Sequence, residues 1–210
     1  MTKPDLMDLA EEERSDLVEL LRTLTPPQWA ARSLCAEWTV QDVATHIVSY
    51  EELAPLPLAG TFLRGGLRVA SVNAVALRRY QDLDAGGVVD LVARHLRPRG
   101  LTSGFGGGIA LTDGTIHQQD IRRALDLPRT VPPHRLVPVL DFALRAPTLP
   151  VKGNARGLRL TATDLDWHSG EGPEVAGSGE ALLMAVAGRP HSLAELTGPG
   201  LETLRRRVGA

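Results

Sequence analysis

The chain has 210 residues, 43% of them apolar and 23% charged, with a formal net charge of −2. This is the balance of a globular chain that buries one large core or two modest ones, and the lack of a basic excess argues against nucleic acid as a partner. The longest apolar run, "ALLMAVA", falls far short of the roughly 20 residues a membrane helix needs. The acidic start "MTKPDLMDLAEEERSD" lacks the apolar core of a secretion leader, and the single cysteine, Cys35, excludes an internal disulfide and suits a reducing interior. These features lead us to expect a cytoplasmic protein with no membrane partner.

Taken in chain order, the first two thirds read as helices. Leu6, Leu9, Leu17, Leu20, Leu21 and Leu24 make a helical stripe that stops at Thr25-Pro26-Pro27. "TVQDVATHIVSYEEL" follows, with Thr39 placed as N-cap, Asp42 in the first turn, and Val40, Val43, Ile47 and Tyr50 on one face. Further helices are expected over Phe62–Tyr80, Val88–Leu96, the segment from Leu111 to before Pro128, and His134–Arg145, with "SGFGGG" leading into the third of these. After "APTLPVKGNARG" the pattern changes. Leu158, Leu160 and Ala162 alternate as in a strand, "EVAG" is a second strand candidate, Ser178 opens a helix closed by Gly188 and Pro190, and "GPGLETLRRRV" reads as a terminal helix. The expected fold is therefore mainly α: a helical bundle over residues 1–147, then a small α+β domain over 148–210, with the break near 147–155.

The segment "LTDGTIHQQDIRRAL" carries the chemistry. Asp113 and His117 stand four apart on one helical face, roughly 5–6 Å between Cβ atoms, close enough to share one cation. A bundle supplies the third ligand from a facing helix, and His46, beside Ile47 and among Val43 and Tyr50, is the candidate. Two imidazoles and one carboxylate suit zinc with a fourth position open. Asp120 is either a further ligand, the group that orients His117, or an ion-pair partner of Arg122 or Arg123. The other histidines read as structural: His95 at a helix end, His134 at a helix start, His168 and His191 in loops. Cys35 reads as a small buried apolar residue, since nothing beside it in sequence would lower its pKa.

Three segments together carry a resemblance: "LTPPQWAARSLCAEWTVQDVATHI", "LTDGTIHQQDIRRALDLP" and "LRLTATDLDWHSGEGPEVAGSGEALLMAVAGRP". They resemble the mycothiol-dependent maleylpyruvate isomerase family, within the DinB-like superfamily of metal-binding four-helix bundles. The resemblance implies a divalent metal, usually zinc, held by a histidine on the second helix and an E-x-x-x-H pair on a later one. By position these are His46, Asp113 and His117, with Asp113 one methylene shorter than the family's glutamate. It also implies that residues 148–210 form a sterol-carrier-like domain, where Arg189 of "AGRP" would bind an anionic group. Arg122, with Arg123, would meet a carboxylate on the thiol. The implied chemistry is thiol activation, with mycothiol or another small thiol as cosubstrate and a small-molecule electrophile as partner. Addition, rotation and expulsion of the thiol give cis–trans isomerisation, whereas retention gives S-transfer. A homodimer is compatible with all of this.

Rival readings stay open. Two histidines and one carboxylate also form a non-haem iron(II) triad. A metal-activated water would make a hydrolase, which activity without added thiol would reveal. A degenerate bundle fused to a sterol-carrier-like domain could equally be a non-catalytic ligand- or partner-binding protein.

Overall fold

The structure, a computed structural model, describes residues 5–35, 38–51, 73 and 75–209. It is mainly helical and divides into two compact units, Met1–Arg129 and Thr130–Ala210. No helix among the described residues is long and apolar enough to cross a membrane.

In the first unit, α1 (Leu6–Thr23) starts at Asp5, whose carboxylate accepts from the Met7 N–H at 2.8 Å. The prolines that end its stripe also begin α2 (Pro26–Ala30), because proline at the first helical positions costs no hydrogen bond. Next comes α3 (Val40–Val48), opened by a capping box in which Thr39 and Asp42 satisfy each other's backbone N–H. Then α4 (Ala85–Arg94) is capped by Asp84, and α5 spans Gly108–Ala124. Gly107 caps α5 at φ +93°, and an added Cβ there would lie 2.7 Å from Met7 Cα, so only glycine lets α5 start against α1. The helix expected over Phe62–Tyr80 falls largely outside the described residues; residues 75–77 are helical and Arg78–Tyr80 form a 3₁₀ turn.

Helices α1 and α3 each pack on both α4 and α5. The core between them joins Leu17, Leu20 and Leu21 of α1 to Val40, Val43, Ala44 and Ile47 of α3, Val88, Leu91 and Val92 of α4, and Ile121 of α5. A buried ion pair fixes the end of α3. Glu51 accepts from Arg14 Nη2 at 2.6 Å, from the Arg99 N–H at 2.6 Å and from the Thr102 hydroxyl, while Arg14 Nη1 reaches the His95 carbonyl.

The second unit opens with α6 (Pro133–Ala143), followed by α7 (Val151–Asn154). The strands β1 (Arg159–Ala162), β2 (His168–Ser169) and β3 (Glu174–Gly177) form one sheet in the order β2-β1-β3. The β1/β2 pair is antiparallel, with Leu160 opposite Ser169, and β1/β3 is parallel, with Leu160 opposite Val175. Helix α8 (Gly179–Val186), capped by Ser178, packs on β1 and β3, and α9 (Leu201–Val208) closes the unit.

Two placements differ from the sequence reading. The sequence groups α6 with the bundle, but α6 packs on α8, and Asp141 accepts from the Trp167 indole at 3.0 Å, both within the second unit. His168 is a strand residue rather than a loop residue, because it pairs with Thr161 across the hairpin.

Candidate metal centre

The last turn of α3 and the middle of α5 face each other in the first unit, and they carry the titratable groups. Val43 and Ile47 are buried, and His46, three residues on from Val43 and so on the same side of α3, is only 6% exposed. On α5, Ile116 and Ile121 are buried, which turns Asp113, His117 and Asp120 toward α3. The ligand atoms of His46, Asp113 and His117 lie within 4.8 Å of one another. Asp113 Oδ1 is 3.8 Å from His46 Nε2 and 3.5 Å from His117 Nε2. These gaps exceed hydrogen-bond lengths. They are near the roughly 3.4 Å that separates nitrogen and oxygen ligands on one tetrahedral zinc.

Asp120, fully buried, sits behind His117, with Oδ2 3.0 Å from Nδ1. In the neutral ring that a cation requires, this bond keeps the proton on Nδ1 and turns the Nε2 lone pair toward Asp113 and His46. On the His46 side, Nδ1 is buried with no hydrogen-bond partner among the described residues. The donor set and the tautomer therefore fit one divalent cation.

Aromatic rings wall the pair. Trp38 lies 4.8 Å from the His46 ring and 6.3 Å from His117, between centroids, and the two imidazoles meet edge to face at 4.9 Å. Tyr50 stands edge-on to His46 at 6.2 Å and donates to Asn73 Oδ1 at 2.5 Å. Burial, with the Asp113 charge added, pushes the Tyr50 phenol up to about 12, so it is neutral and donates.

The charges are coupled. Burial alone would raise the Asp113 carboxyl, but His117 and then His46 beside it hold it well below the ordinary carboxylate range. Burial would likewise lower His117, but the nearby Asp113 charge, with the contacts to Asp120 and Cys35, raises it well above its ordinary 6.5. Without a cation, the pair is an imidazolium and a carboxylate.

The structure thus brings together His46, Asp113 and His117, and places Asp120 where it orients His117. Arg122 lies elsewhere on the unit, lining a cleft with Glu19, Leu20, Thr23, Leu127 and Pro128. Arg189 belongs to the second unit, where its guanidinium donates to the Ala187 carbonyl at 2.9 Å. Cys35 is not the apolar filler that the sequence suggested. It is half-buried, with Sγ 3.4 Å from Asp120 Oδ2 and 3.6 Å from His117 Nδ1. The contact depends on the loop before α3 docking on α5, through the Leu34 N–H on the Asp120 carbonyl, and nothing local in "SLCAEW" announces such a long-range bond. Trp38 was legible only as part of a motif, not as a wall of the site.

Residues 10–64, which include His46, match the family model of the mycothiol maleylpyruvate isomerase N-terminal domain. No curated protein sequence matches. Among solved structures, the crystal structure of the mycothiol-dependent maleylpyruvate isomerase superposes with a TM-score of 0.56 at 14% identity, covering 95% of this chain and 93% of that one. A histidine-to-alanine mutant of that isomerase gives 0.52 at 15% identity over the same shares. Residues 10–64 thus resemble the mycothiol maleylpyruvate isomerase N-terminal domain, and the fold of the chain is similar to that of the mycothiol-dependent maleylpyruvate isomerase.

Proposed function

We propose that this chain is a mycothiol-dependent enzyme of the isomerase type, working with one divalent metal, zinc, held by His46, Asp113 and His117. The observation that carries the reading is the convergence of two Nε2 atoms and one carboxylate oxygen at separations of 3.5 and 3.8 Å, with His117 set in its metal-ready tautomer by Asp120. A cation held there supplies Lewis acidity that shifts a thiol toward its thiolate at neutral pH.

The chain's own groups do the rest. Asp120 keeps the His117 proton on Nδ1. Trp38 and Tyr50 cover the flank of His46 and exclude water from it. Asp113 is the most exposed donor, its side chain 37% accessible, so a small thiol and its electrophile would approach from its side. The neutral Tyr50 hydroxyl adds no negative charge that would repel a thiolate. The protein whose fold is similar is an isomerase, so we assign cis–trans isomerisation of an electrophilic alkene ahead of S-transfer.

The test is an assay of zinc-loaded protein with mycothiol and maleylpyruvate, beside His46→Ala. Isomerisation that needs both thiol and His46 supports the reading. Turnover that proceeds equally without thiol would replace it with the hydrolase reading, and no turnover by metal-loaded protein with any thiol and electrophile would favour a binding protein.

A further inference from the structure

We infer that the chain has a second cation site, for a soft thiophilic metal, on the opposite edge of His117, formed by Cys35 Sγ, Asp120 Oδ2 and His117 Nδ1. The three atoms make a triangle with sides of 3.6 Å (sulfur to nitrogen), 3.4 Å (sulfur to oxygen) and 3.0 Å (nitrogen to oxygen). Bond lengths of about 2.3 Å to sulfur and 2.0–2.1 Å to nitrogen and oxygen, at tetrahedral angles, set such sides at roughly 3.4–3.6 Å. The triangle already has nearly the size of one face of a coordination tetrahedron. It is tighter than the one formed by His46, Asp113 and His117.

The loop that delivers the thiol is held on both sides. The Leu34 N–H donates to the Asp120 carbonyl at 3.2 Å, the Cys35 N–H to the Ser33 hydroxyl at 3.1 Å, and the Trp38 N–H to the Cys35 carbonyl at 3.1 Å. Asp120 is a carboxylate with no exposed surface, a group that proteins bury only when paired or coordinating. Cys35, half-buried, leaves a way in for the ion and for a water as fourth ligand. A thiolate donor selects soft metals over magnesium or calcium. On binding to the metal-free chain, the Cys35 thiol and the His117 imidazolium each lose one proton to solvent, the latter from Nδ1, and the ring is left neutral with its remaining proton on Nε2.

The neutral His117 ring has one lone pair, so the two sites compete for it; this consequence, unlike the site itself, rests on the function proposed above. A soft metal at Cys35 would draw His117 away from the catalytic position and silence the enzyme.

The test adds Cd²⁺ to the metal-free full chain and follows the ultraviolet thiolate-to-cadmium charge-transfer band. Cys35 is the chain's only cysteine, so the band reports that position alone. The site predicts a band that saturates near one cadmium per chain and is absent in Cys35→Ser. It also predicts binding at least tenfold weaker in Asp120→Asn and His117→Ala, with the band retained in Asp113→Asn and His46→Ala. No band in the wild type, equal affinity in Asp120→Asn and His117→Ala, or loss in both Asp113→Asn and His46→Ala would overturn it. Zinc content, read in the same samples, separates the two claims: a chain that never takes zinc but shows this cadmium pattern refutes the proposed function and leaves the second site standing.

Discussion

Two buried helices, one from each unit, are built on opposite plans. In α8, Ala181, Leu182, Leu183, Met184, Ala185 and Val186 are all at most 2% exposed, an apolar cylinder with no chemistry in it. In α5, the buried set includes Thr112, Thr115, Gln118, Gln119 and Asp120, and the half-buried His117 stands between them in sequence. Burying such groups costs free energy that an apolar residue would not. The difference separates a helix that holds its unit together, α8, from one that buries a constellation of donors, α5.

The largest effect should come from the centre of α5. His117→Ala removes the ligand common to both triangles, and we expect zinc content to fall to background and thiol-dependent turnover to drop beyond the roughly 10–100-fold that an outer partner contributes. Metal analysis and a thiol-dependent assay would check it. Full activity in that variant would erase the contrast between the helices. The matching change in α8, Leu182→Ala, should cost about 2–5 kcal/mol in denaturant unfolding of the second unit, with the zinc content of folded protein unchanged.

Asp120→Asn sharpens the comparison, since it keeps the size of a buried group and removes its charge. Metal affinity should weaken about 10–100-fold, measured by competition with a chelator. The pH dependence has a definite sign. Burial opposes charge on His117, but Asp113 beside it prevails and holds the proton to a pH well above 6.5. Proton and cation compete for Nε2, so apparent affinity should fall by about tenfold per unit as the pH drops below that raised value. A titration with affinity flat from pH 9 to pH 6, or rising toward acid, contradicts the assignment.

The smallest effect, of opposite sign, belongs to Gln118. Its amide is fully buried, and neither of its polar atoms has a hydrogen-bond partner among the described residues. Gln118→Met should therefore stabilise the first unit by about 1 kcal/mol, read as a rise in melting temperature. A loss of stability would mean that this amide has a partner after all.

Much of this was legible in the sequence. The stripe of α1, the Thr39 cap of α3, the strands at Leu158–Ala162 and "EVAG", and the Ser178 cap of α8 all follow from local periodicity and capping chemistry. The pairing of His46 with Asp113 and His117 was legible for a different reason: i, i+4 spacing fixes one half, and a histidine beside Ile47 on a buried seam offers the other. What escaped depends on long-range docking. Cys35 reaches Asp120 across 85 residues, and Glu51 meets Arg14 across 37; no local pattern encodes either. The α6 helix was assigned to the bundle because its apolar pattern says only that it is buried, not against what. Arg122, expected from the sequence to meet a carboxylate on the thiol, stands five residues along α5 from His117 and lines the cleft with Glu19 and Thr23.

The central claim is that His46, Asp113 and His117 share one cation. Metal content by mass spectrometry, on full-length protein purified without a histidine tag and supplied with zinc, tests it beside His46→Ala and a circular dichroism control for folding. The account predicts about one zinc per chain in the wild type and none in the folded variant. Wild-type protein that stays metal-free after zinc is supplied, or a variant that keeps its zinc, would contradict it.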